Sequence, residues 1–191
     1  MIILEAEVVD AVGIDPIRKV ASLAVIMHIG FDGGHSVYEL GLTSDVVLFF
    51  DCLRTYGEQA HPERDWSLLT DRLYRRYLRL EELDKALTLM EQAQQIFAQH
   101  PSASAVQWNE SVSENAEESW LNKNQPTLAD VFSKYFENFA RACASAKSFF
   151  EEFGIYQPVR VVISDLPGFM RDKSKPLSEY DALEGKPFWL Q

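Results

Sequence analysis

Two cysteines, Cys52 and Cys143, are all that the 191-residue chain contains. They lie far apart, each inside an apolar, helix-like pattern, which excludes a disulfide framework and reads as two small core residues in a reducing compartment. Cationic residues are scarce too. Eighteen Lys and Arg face 29 Asp and Glu, leaving a formal charge of −11 and a pI near 4.8. Phosphate binding draws its affinity from Lys and Arg, so this balance argues against nucleic acid or an anionic membrane as a direct partner and favours a basic one. Long apolar runs are missing. The longest, about Val20 to Ile29, includes His28 and is too short to cross a bilayer. The start, Met1-Ile-Ile-Leu-Glu-Ala-Glu, lacks a cationic region followed by an apolar stretch. The expectation is a soluble, cytoplasmic protein.

Signatures of chemistry are equally sparse. The chain has no Gly-x-Ser-x-Gly, no paired His-x-x-x-His and no Gly-Lys-Ser or Gly-Lys-Thr after a glycine-rich loop. His28, Asp32 and His35 fall within eight residues, yet their spacing matches no strong zinc pattern, and Asp32 is expected at a turn. Ser164-Asp165 after a strand reads as a turn. No catalytic residue, metal or cofactor is therefore expected.

What is present is an ordinary globular composition, 47% hydrophobic and 25% charged, sufficient for one domain with a sizeable core. Residues 2–9 and 20–29 read as strands, and Phe31-Asp32-Gly33-Gly34 as a tight turn into a third strand from His35. Thr43-Ser44-Asp45 offers capping oxygens for a helix ending near Gly57. Residues 65–99, free of Pro and Gly, divide into two amphipathic helices near Leu80. Trp66, Leu69, Leu73 and Tyr77 line one side of the first, and Leu83, Leu87, Met90 and Phe97 line the second. Thr127-Leu-Ala-Asp130 resembles a capping box opening a helix to about Phe153, closed by Gly154. Phe132, Phe136, Phe139, Phe149, Phe150 and Phe153, half of the twelve Phe, mark that helix as the central core element. Residues 155–164 return to strand, and the tail is anchored by Tyr180, Phe188, Trp189 and Leu190. The architecture expected over 1–191 is a single α+β domain, an antiparallel sheet packed against several helices, with a long acidic loop at about 100–126.

The charge map is more informative than any single residue. Between residues 81 and 120, Glu81, Glu82, Asp84, Glu91, Glu110, Glu114, Glu117 and Glu118 face the lone Lys85, which places −7 of the chain's −11 there. The loop adds Trp108 and Trp120. Clustered carboxylates can attract a cationic surface at long range, and aromatic side chains then supply anchors of the kind enriched in binding hot spots. A solubilising loop whose two Trp pack back on the domain is an equally good reading. Arg72, Arg75, Arg76 and Arg79 follow i, i+3, i+4, i+7 spacing, as a site for an acidic partner would. A solvated face paired with Asp71 and the Glu81-Glu82 pair is favoured instead.

Two stretches are the most distinctive: Ile163-Ser-Asp-Leu-Pro-Gly-Phe-Met-Arg-Asp-Lys-Ser-Lys-Pro-Leu-Ser-Glu-Tyr-Asp-Ala-Leu-Glu-Gly-Lys-Pro-Phe-Trp-Leu190 and Asp71-Arg-Leu-Tyr-Arg-Arg-Tyr-Leu-Arg-Leu-Glu-Glu-Leu-Asp. Together they resemble small acidic immunity proteins encoded beside bacterial polymorphic toxins, including those of contact-dependent growth inhibition. The resemblance implies a cytoplasmic binding protein, without catalysis of its own, that neutralises one basic toxin domain, commonly a nuclease, by covering its active or substrate-binding site. On this reading Glu110, Glu114, Glu117 and Glu118 steer and pair with the toxin, and Trp108 and Trp120 supply apolar contact. The alternative is a small-molecule-binding domain or enzyme with a pocket near His28, His35 and Asp165.

Overall fold

The computed structural model describes residues 28–105 and 119–164, together with Pro187 and Trp189. Its sheet has three antiparallel strands: β1 (His28–Asp32), β2 (Val37–Leu42) and β3 (Arg160–Ile163), in the order β2-β1-β3. β1 and β2 form a hairpin around the Gly33-Gly34 turn, where Gly34 N donates to Asp32 Oδ1 at 2.9 Å. β3 returns more than a hundred residues later to the other edge of β1. That long return, with the helices inserted between β2 and β3, is what makes the fold α+β. The strand expected at residues 2–9, and residues 20–27 of the next one, lie outside the described residues, as do Tyr180, Phe188 and Leu190.

The helices are α1 (Thr43–Cys52), α2 (Leu83–Phe97), α3 (Leu128–Val131) and α4 (Ser133–Phe153). Phe49 of α1 sits at their common centre, with ring centroids 5.2 Å from Phe132, 4.7 Å from Tyr135, 5.8 Å from Phe136 and 6.2 Å from Phe97. All these side chains are buried, each contributing about 1.5–3 kcal/mol by removal from water. Cys52 and Cys143 are buried, unbridged core residues, as their apolar setting implies. Burial pushes the Cys143 thiol up to about 12. The capping box at Thr127 forms as read, with Asp130 N donating to Thr127 Oγ1 at 3.3 Å and Thr127 N to Asp130 Oδ2 at 3.2 Å. Gly154 closes α4 at φ +64°.

Four local readings need correction. Gly57 does not end the first helix: the chain continues from α1 through a wider, π-wound stretch, Leu53–Gln59, and Gly57 lies under the Trp66 ring, which comes within 3.2 Å of where a Cβ would stand. The helix expected from Asp65 is π-wound over Leu68–Leu73 and stops by Arg75. It stops because Leu78 leaves to pair with Val159, with mutual bonds of 2.7 and 3.1 Å. Arg79 therefore sits on extended backbone, and the four Arg do not form one helix face. Arg75 reaches Asp71 at 3.0 Å and Arg72 reaches Glu82 at 3.5 Å, the carboxylate pairing favoured from sequence. Finally, α4 is a core helix only as far as Ala146: Phe136 and Phe139 are buried, as is Phe132 just ahead of it, whereas Phe150 and Phe153 are exposed.

Candidate partner-binding site

The chain on either side of residues 106–118 is tied together and to the core. Pro101 and Thr127 form an antiparallel bridge, Ser102 N donates to Pro126 O at 3.2 Å, and Leu128 N donates to His100 O at 3.0 Å. Ala105 is buried, and Tyr56 Oη donates to Ser104 O. Both flanks of residues 106–118 are thus fixed to the core. Trp108, Glu110, Glu114, Glu117 and Glu118 lie between them, outside the described residues.

The flank that follows, from Ser119, is pinned by one buried carboxylate. Asp45 lies in the first turn of α1 and is fully buried. It accepts from Ser119 Oγ at 2.7 Å, from Trp120 N at 3.0 Å and from Leu42 N at 3.4 Å. Asp45 is thus not the N-cap residue but the carboxylate three positions inside the helix, reaching back to Leu42 and across to the loop. Burial raises its pKa above the ordinary carboxylate value, and the three donors pull in the opposite direction. Gly41 makes room for the arrangement: at φ +143°, a Cβ there would stand 2.8 Å from Asp45 Oδ2.

Trp120 is held by this staple with its indole partly outward, 41% exposed. Its ring lies against His28, with centroids 5.0 Å apart, and Lys134 Nζ sits 4.1 Å above it. Lys134 also lines an adjoining polar groove of about 510 Å³ together with Tyr38, Glu39, Asn138, Arg141 and Ser164. Asn138 Nδ2 donates to Glu39 O at 2.8 Å, and Ser164 Oγ donates to His28 O at 3.1 Å. The result is a fixed aromatic plate bordered by groups of both signs, suited to a protein surface with an apolar centre and a polar rim.

The other candidate residues do not converge. His28 begins β1 and His35 lies in the turn beyond its end, so about 13 Å of strand separates them at 3.3 Å per residue. His35 packs on Phe149, with centroids 4.4 Å apart. Asp32 is 2% exposed and meets Arg160 of β3, Oδ2 to Nη2 at 3.3 Å, so its role is a buried ion pair. Asp165 lies outside the described residues. Among those described, no three His, Cys, Asp or Glu are grouped to hold a metal, and no helix is long and apolar enough to cross a membrane. Asp45, Ser119, Gly41 and Lys134 are the members of the site that sequence reasoning missed. Thr43-Ser44-Asp45 gave a signal of capping, but none of contact with a residue 75 positions away. Comparison of the chain with protein-family models, curated proteins and solved structures gave no match.

Proposed function

We propose that the chain is an immunity-type binding protein, which neutralises a cognate bacterial toxin, a nuclease in the common case, by laying an acidic face over its active or substrate-binding surface. The supporting observation is Trp120: an indole 41% exposed, yet fixed by Asp45, His28 and Lys134 at the foot of the segment that contains Glu110, Glu114, Glu117 and Glu118. An aromatic side chain already ordered in the free protein avoids the roughly 0.5–1.5 kcal/mol that immobilising a side chain costs on binding. The carboxylates act earlier, raising the encounter rate with a basic surface whose Lys and Arg serve polyanionic substrate. In this reading the chain makes and breaks no covalent bond.

The test is co-expression with the carboxy-terminal domain of a large secreted protein encoded immediately upstream. Cells producing this chain are expected to survive that domain. Trp120→Ala is expected to weaken protection, and reversing the four loop Glu to weaken it further. Cells that die at the same rate with and without the chain would remove the assignment.

A further inference from the structure

The far end of α4 carries a second surface, which the Trp120 site does not use. Phe150, Phe153 and Ile155 are 42%, 51% and 50% exposed. His35 and the half-buried Phe149 join them: His35 lies 4.4 Å from Phe149 and 5.8 Å from Phe153, and the two Phe rings are 5.1 Å apart. Single exposed apolar side chains are normal on a protein surface. Here ring contacts lock His35, Phe149 and Phe153 together, and Phe150 and Ile155 stand exposed next to them in the chain, a grouping of the kind that marks an interaction site.

The electrostatics around the cluster are unfavourable to the isolated molecule. Glu151 and Glu152 occupy the last turn of α4, where free carbonyls already concentrate negative charge, and that turn holds no basic residue. At roughly 100° per residue, the two fall on either side of the stripe formed by residues 149, 150 and 153. The nearest cation on the helix, Lys147, is bound to Asp84 across the α2–α4 contact. Two carboxylates at a helix carboxy terminus, beside exposed aromatic rings, form an arrangement that an incoming cation would relieve.

We infer that this end of α4 is a docking surface for a cationic protein segment, whose apolar side chains cover Phe150, Phe153 and Ile155 while its Arg or Lys pair with Glu151 and Glu152. Charge selects the occupant. A second copy would set the same Glu pair against itself in a chain of charge −11, and an anionic membrane would be repelled likewise. The surface lies 19 residues along α4 from Lys134, about 28 Å at 1.5 Å per residue, so it neither includes Trp120 nor depends on the toxin-neutralising reading.

The experiment titrates the full chain with a short peptide of alternating Leu and Arg, followed by amide NMR, beside an Arg-Gly peptide of equal charge. Shifts are expected at His35 and residues 149–155, with the Arg-Gly peptide binding more weakly. The dissociation constant is expected to rise about tenfold in the double variant Phe150→Ser/Phe153→Ser and again in Glu151→Lys/Glu152→Lys. The substituted side chains are exposed, and the charge variant keeps every apolar contact. Equal affinity in both variants, or shifts spread over the acidic surface, would overturn the inference. So would a concentration-dependent dimer of the wild-type chain that Phe150→Ser/Phe153→Ser abolishes, since the occupant would then be a second copy.

Discussion

Asp45 joins the fold to the candidate site through a single carboxylate. Its folded pKa is raised by burial, so on the approach to neutral pH the unfolded chain ionises this group first and the folded state loses relative stability. The contribution is neutral below the unfolded value of about 3.9 and becomes a cost as pH rises through the folded value. Asp45→Asn removes that titration. Urea midpoints measured between pH 4 and pH 7 are expected to fall more steeply in the wild type than in Asp45→Asn. Parallel curves would show that the group is not desolvated as described. Asp45→Ala differs, because it leaves Ser119 Oγ and Trp120 N without their acceptor, at about 1–3 kcal/mol for each donor left buried. None of this is legible in Thr43-Ser44-Asp45, which announces a helix start and nothing about the loop. Asp32 was obscured in the same way: His28, Asp32 and His35 are near neighbours in sequence, but β1 separates the two His and β3 brings Arg160 to the Asp.

At the scale of elements, the apolar periodicity was legible and the winding was not. Trp66, Leu69, Leu73 and Tyr77 are all buried, as an amphipathic helix requires, but the backbone beneath them widens to π winding and then breaks for the Leu78–Val159 pairing. A bridge to a residue 81 positions away overrides local propensity and has no trace in a helical window. Two glycines show how local and long-range constraints differ. Gly154 at φ +64° has nothing within 4 Å of a would-be Cβ, so its requirement is conformational. Gly33 abuts α4, where a Cβ would stand 2.4 Å from Ala142 O. Gly154→Ala is expected to cost about 1 kcal/mol for the left-handed backbone, with Gly154→Asn recovering part of it. Gly33→Ala is expected to cost roughly 1–3 kcal/mol through overpacking, with Gly33→Asn no better. Denaturant titration separates the two, and rescue of Gly33 by Asn would contradict the steric account. The first Gly was legible as a helix stop. The second reads as a turn residue in the sequence, and its contact with a helix a hundred positions later has no local trace.

For the whole molecule, the fold class follows from sequence because strand-like and helix-like stretches are segregated along the chain, which leaves few ways to bury both sets of apolar faces. The order β2-β1-β3 depends on where the last strand returns, and composition does not encode that. Of the charge map, Glu110, Glu114, Glu117 and Glu118 lie outside the described residues. α4 ends in an exposed aromatic cluster beside Glu151 and Glu152, and near its start Trp120 stands at the base of the acidic segment. The two surfaces lie about 28 Å apart along the helix, and on the proposed readings the indole, Phe150 and Phe153 are the apolar anchors that a cationic protein would cover.

The most direct measurement of the proposed function is the salt dependence of complex formation between the purified chain and the carboxy-terminal domain of whatever large secreted protein is encoded immediately upstream, followed by stopped-flow tryptophan fluorescence with Trp120→Phe as the reference. The account predicts a one-to-one complex whose association rate falls steeply as ionic strength rises past about 0.1 M, where screening shortens to about 10 Å. Absence of a complex, or an association rate indifferent to salt, would contradict it.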